Sequence, residues 1–242
     1  MRLKRLCSIA AAAALPLAAA GCDLPGLSHA SSGGPAGGSA AGAAASTSAN
    51  PDAGLLTGTQ LRGALVTTGI PSGYAAVAAS AVDSGSSYVS PSPPSTAAPK
   101  CANLIASGWV NLAGYQSASF AQSDYVNNGK SEEFLQEIDA YQGSTAQSVM
   151  AGLAKLGTSC PTFKDANTKN STVKVSVATA ASPGAGSVTI TLTDPSWASS
   201  ATLIAVRVGP NVISVLNSAT GDSATYAKTL ASAITANLAK LG

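Results

Sequence analysis

Few residues in this sequence have the chemistry to act on a substrate. The single histidine, His29, stands in a tract of Gly, Ala and Ser, where nothing would hold it against a nucleophile or a metal. The many Ser and Thr hydroxyls that follow have no imidazole to activate them, and no Gly-x-Ser-x-Gly elbow occurs, so triad-type hydrolysis has no support. Carboxylates are the remaining acid–base candidates. Glu132, Glu133, Glu137 and Asp139 gather around one strand-like run, and the strand rise places Glu137 and Asp139 on one face, about 7 Å apart. Such a pair can serve as acid and base. Here it lies in a polar run beside Lys130, which predicts a solvated sheet face. Arg207 interrupts an apolar run and is the one candidate for an anionic ligand, with an ion pair to Asp194 as the structural alternative. Gly184-Ala185-Gly186 lacks the following helix and Lys of a phosphate loop.

Four cysteines remain: Cys7, Cys22, Cys101 and Cys160. The body of the chain offers neither a His nor a third Cys to complete a zinc-type ligand set, so neither metal nor cofactor is expected. The N-terminus explains the first two. Arg2, Lys4 and Arg5 precede the apolar run from Leu6 to Ala20, and Ala19-Ala20-Gly21-Cys22 closes it. An apolar run this short is a signal peptide, not a membrane span. The small residues before Cys22 resemble a bacterial lipobox, in which the Cys sulfur receives a diacylglycerol. An ordinary cleavage site at Ala18-Ala19-Ala20 is the alternative, but it would leave Cys22 as an exposed thiol. Cys101 and Cys160 are then an even pair in an oxidising compartment, expected to form a disulfide. Two buried free thiols are the alternative.

Residues 1–21 carry three of the 13 basic residues and none of the 11 acidic ones, so cleavage turns a net charge of +2 into −1. Only 10% of residues are charged, without the basic face that nucleic-acid binding requires. Of the 31 residues in 23–53, 25 are Gly, Ala, Ser, Thr or Pro. Such a tract cannot bury enough apolar surface to offset its ordering entropy. It is expected to be a tether with a span of roughly 30 Å.

The domain that must position the remaining groups runs over 54–242. Thr57-Gly58-Thr59-Gln60 fits a capping box, opening a short helix to about Thr67. Tyr74 to Val82 reads as a strand, and the Ser/Pro stretch from Asp83 to Pro99 as an extended loop. A short helix follows Pro99. Ala118–Val126 and Glu133–Ala140 flank Asn128-Gly129, a hairpin signal. A helix follows Ser144, with an apolar stripe from Ala146 to Cys160. Residues 172–193 alternate apolar and polar positions around Pro183-Gly184. Leu203–Val208 and Val212–Leu216 flank Gly209-Pro210, and a last helix starts near Ser223. Short turns require antiparallel neighbours. The expected class is α+β: an antiparallel sheet of six or seven strands flanked by helices, with one disulfide and one face wet or lightly covered. A domain of about 190 residues can bury about 70% of its unfolded surface in one core.

The order of these features resembles the PknH-like extracellular (sensor) domain family of actinobacteria. The residues that carry it are Gly54-Leu55-Leu56-Thr57, Pro99-Lys100-Cys101-Ala102, the helix ending in Cys160-Pro161-Thr162-Phe163, and Val206-Arg207-Val208-Gly209-Pro210-Asn211-Val212. The resemblance implies an antiparallel sheet with flanking helices around a cleft, in a kinase ectodomain or a free-standing lipoprotein. The kinase ectodomain of that family has two disulfides, whereas this chain has cysteines for one. Together these readings give a lipoprotein on the outer face of the cell membrane, anchored through Cys22. Its non-catalytic domain would engage an unidentified envelope ligand or protein. A lipid or glycolipid carrier is the alternative, and an enzyme working through carboxylates alone is a third.

Overall fold

A computed structural model describes residues 50–90, 92–182, 185–221 and 223–241. The export segment, Cys22, His29, most of the tether and the Pro183-Gly184 turn lie outside the described residues. The chain enters on a turn, with Leu55 N–H donating to Asp52 O, and Asp52 accepts a hydrogen bond from Gln142.

Thr57 caps α1 (Gly58–Arg62) with the complete capping box, but the helix stops at Gly63, short of Thr67. The expected strand over Tyr74–Val82 is broken into β1 (Ala75–Ala76) and β2 (Val82–Asp83) by a 3₁₀ turn at Ala78–Ser80. The break is held by side-chain competition. The Ser80 hydroxyl accepts the Asp124 N–H and donates to Val77 O, so the chain bows out from its neighbour. Two 3₁₀ turns, Cys101–Ile105 and Trp109–Ala113, precede the hairpin of β3 (Ser119–Asn127) and β4 (Glu132–Ala140). The stripe after Ser144 forms two helices, α2 (Thr145–Ala154) and α3 (Leu156–Ser159), broken at Lys155. β5 (Thr162–Asp165), which sequence periodicity did not distinguish, leads into β6 (Ser171–Ser182) and β7 (Ala185–Thr193). β8 (Ala201–Val208), β9 (Asn211–Asn217) and α4 (Ser223–Leu238) complete the chain.

All strand pairings are antiparallel, in the order β1-β3-β4-β9-β8-β7-β6-β5, with β2 also on β3. The class is α+β, as expected. Seven strands are of ordinary length; the other two are the fragments β1 and β2.

Two apolar clusters lie on opposite faces of this sheet. On one face, α2, α3 and the 3₁₀ turns cover Leu135, Val173, Ile190, Leu203 and Val212, with Trp109 and Leu153 in the middle. On the other, α1 and α4 cover Phe134, Ile138, Ile204, Ile213 and Val215 with Leu61, Leu230 and Ile234. A fully buried side chain of this size contributes about 1.5–3 kcal/mol. The expectation of a wet second face holds along β6, where Thr172, Lys174 and Ser176 are exposed. Outside the 172–193 stretch to which that expectation applies, the same face is covered, because α4 packs on β8 and β9.

Candidate functional site

The first candidate site is a cleft where α1 hands the chain back to the sheet. Gly63, Leu65, Val66, Thr67 and Thr68 form one wall, and Ala233, Asn237, Lys240 and Leu241 at the end of α4 form the other. Its volume is about 470 Å³, within the range of small-molecule sites. Gln136, fully buried on β4, fixes one wall: its Oε1 accepts the Val66 N–H at 2.9 Å and its Nε2 donates to Val66 O at 2.7 Å. Asn237 fixes the other wall by donating to Ala64 O, and Lys240 donates to Asn237 Oδ1. The lining combines aliphatic side chains with Thr hydroxyls, an amide and one ammonium group. None of the residues lining the cleft was singled out by sequence reasoning. Thr67, Thr68 and Asn237 belong to no motif, and only the docking of α4 on α1 brings them together.

The second is on the opposite face of β4, and it overturns a sequence expectation. Glu137 and Asp139 do not form a solvated face: they are 6% and 1% exposed. The 3₁₀ turns and their connecting chain lie over them, and Gly108 N–H donates to Glu137 Oε2 at 2.9 Å. Asp139 Oδ2 and the neighbouring Tyr141 hydroxyl are buried without a hydrogen-bond partner. Burial pushes the Asp139 carboxyl up to about 7, against a smaller opposing pull from the Ser117 hydroxyl. Glu137 is raised by burial and then by the charge of Asp139 and of Asp124, opposed by the Gly108 N–H. Tyr141 is raised by burial and by both carboxylates. The seam beside Glu137, lined by Ser107, Trp109, Leu135 and Ser214, holds no room for a water molecule.

The other acidic residues are also more buried than their polar surroundings predict. Glu132 accepts hydrogen bonds from Thr220 N–H, the Thr220 hydroxyl and the Tyr74 hydroxyl. The Thr220 hydroxyl is the largest influence holding its carboxyl below the ordinary value. Asp165 ties Trp197 Nε1 to the Thr168 hydroxyl. Asp194 takes the hydroxyls of Ser171 and Ser196. It is therefore not the partner of Arg207. The β7–β8 register puts the two at opposite ends of the hairpin, roughly 26 Å apart by strand rise. Arg207 is half-buried on β8 and donates to Gly209 O at 3.3 Å.

Cys101 and Cys160 form a disulfide, with an S–S distance of 2.05 Å and Cα atoms 5.5 Å apart. It joins the first 3₁₀ turn to the end of α3. Among the described residues, no group of three or more His, Cys, Asp or Glu is arranged to hold a metal. No helix among them is long and apolar enough to cross a membrane. Among the large rings, Tyr125 stacks on Phe134 at 4.7 Å, and Tyr74 tilts against the same ring at 5.4 Å.

No family model matches the chain, and no curated protein does. Among solved structures, the chain is similar to the crystal structure of the extracellular domain of PknH from Mycobacterium tuberculosis. The TM-score is 0.46 at 14% identity, over 76% of this chain and 97% of that one.

Chemically, the two sites differ in kind. The cleft is open and lined by both hydrogen-bond donors and aliphatic side chains. The carboxylate pair has the raised proton affinity of an acid–base dyad but is sealed, and an acid or base must come within hydrogen-bond reach of the group it serves. The sheet separates the pair from the cleft.

Proposed function

We propose that this chain is a non-catalytic binding module, held on the outer face of the cell membrane by a lipid on Cys22, that receives an envelope ligand or protein in the cleft between α1 and α4. The observation that carries this reading is the cleft itself: an accessible volume of about 470 Å³ rimmed by Thr67, Thr68, Asn237 and Lys240, with no carboxylate or nucleophilic thiol among its lining. Its walls are fixed by Gln136 and Asn237, so the site is formed before a ligand arrives, which reduces the ordering cost of binding. The carrier alternative requires a closed apolar cavity, and the space on both sheet faces is filled by the two side-chain clusters. The export segment and the Gly/Ala/Ser tether support the location.

The full chain purified from its own envelope, examined by native mass spectrometry, is expected to carry a polar or anionic ligand. Adding that ligand should raise the melting temperature, and the rise should be lost in Thr68→Trp, which fills the cleft. A retained acyl lipid would instead favour the carrier, and turnover of the bound compound would favour an enzyme. Palmitate labelling is expected in the wild type and not in Cys22→Ala; equal labelling of both would refute the anchor.

A further inference from the structure

The segment from Cys101 to Ser117 crosses the sheet as a strap. One end is rooted by the Cys101–Cys160 disulfide. The other runs into β3, where Ala118 N–H donates to Ala140 O at 2.8 Å. Between these roots, Gly108 (φ +69°) and Gly114 (φ +88°) bracket the Trp109–Ala113 turn in left-handed backbone that other residues enter at a cost. The strap's polar contacts with the sheet beneath it are Gly108 N–H to Glu137 Oε2 and the Ser117 hydroxyl to the Asp139 carboxyl.

What lies under the strap is short of donors. Glu137 and Asp139 point from the same face of β4, and the Asp139 Oδ2 and Tyr141 hydroxyl are buried with no partner. Around them, β3 adds Asp124, another carboxylate, and β4 adds Tyr141. The strap carries no charged side chain and one ionisable one, Tyr115. Neither α2 nor β9 contains an ionisable residue. Arg207 is on the same face of the sheet, across Val212 from Asp139, about 10 Å away by strand spacing. It donates to the Gly209 carbonyl.

We propose that Glu137 and Asp139 form a proton-binding latch: a proton held by the pair keeps the strap seated, and its release to solvent lets the turn between Gly108 and Gly114 lift. With the proton present, one carboxyl is neutral, and the Gly108 N–H and the Ser117 hydroxyl serve the remaining charge. With both ionised, two like charges share a dry site, and water can reach them only from the strap side, since the sheet closes the other. The glycine-bracketed turn is the part of the lid with backbone freedom to move, and its lifting also withdraws Trp109 and Val110 from the apolar cluster that buries them.

The direction of the effect follows from the proton affinities. The folded Asp139 carboxyl is raised from 3.8 to about 7 by burial, so the folded chain binds the proton more tightly than the unfolded one. The latch is fully closed below the unfolded value and lost as pH rises through about 7. This reading is independent of the cleft, which lies on the other face, so either can fail alone.

Hydrogen exchange on the full chain from about pH 5 to about pH 9, corrected for intrinsic rates, tests it. Protection of residues 101–117 should fall by up to about tenfold per pH unit from the acidic end to about pH 7 and level off above it, while β8 and β9 stay protected. Asp139→Asn and Glu137→Gln should each abolish the fall. If one variant does not fold, the other and the wild-type profile decide the question. A wild-type strap whose protection is independent of pH would overturn the latch. So would a fall that persists in both variants, or one shared equally by β8 and β9.

Discussion

A carboxylate in this domain is defined by its donors more than by its neighbours in sequence. Glu132 and Asp139 belong to the same strand and titrate in opposite directions. Glu132 receives two hydroxyls and a backbone N–H, which hold it ionised. Asp139 has one oxygen with none and is raised by burial. Their contributions to stability therefore have opposite signs. The lowered Glu132 stabilises the fold above its unfolded pKa, and that part is lost as pH falls through its folded value. Thr220→Val removes the hydroxyl and leaves the backbone donor. It should cost about 1 kcal/mol at neutral pH, and the difference from wild type should fade below about pH 4. Urea melts at the two pH values measure this. A cost that is the same at both would mean that Thr220 acts by packing and not through Glu132.

At the scale of elements, the disulfide has the clearest consequence. It closes a loop with a sequence separation of 59 residues, for which chain entropy gives about 4 kcal/mol. Replacing both cysteines by Ser should lower the denaturation midpoint by an amount of that order and loosen the strap before the sheet; an unchanged midpoint would contradict it. Most elements were legible in the sequence: the α1 capping box, the Asn-Gly hairpin of β3 and β4, the alternation in β6 and β7, and α4. The errors have physical causes. Ser80 competes for backbone partners and breaks a strand. β5 is too short for its alternation to stand out. Glu137 and Asp139 are buried although their polarity alone predicts exposure. The counter-signal was in the same strand. Phe134, Ile138 and Ala140 are apolar at one parity, and Leu135 and Tyr141 at the other. A strand with apolar residues at both parities is covered on both faces. The cleft left no such trace, because Thr67, Thr68 and Asn237 become neighbours only through tertiary packing.

At the scale of the whole molecule, the sheet is joined in its middle by residues far apart in the chain. β4 pairs with β9 across a gap of some 70–80 residues, a non-local contact whose closure entropy must be met before it stabilises anything. A chain truncated before β8 should therefore lack a cooperative melt and be cut rapidly by protease, although β3 and β4 remain as a hairpin. A sharp thermal transition in that fragment would show that the first half is an autonomous unit. On the proposed export, the same connectivity bears on how the chain would reach its destination. The central pairing cannot form until nearly the whole polypeptide has been synthesised, so the N-terminal half stays threadable while it is being made. If the chain is exported as proposed, late closure of the sheet would give a translocation pore time to engage an unfolded substrate, and would leave folding to finish on the far side, where thiols can be oxidised.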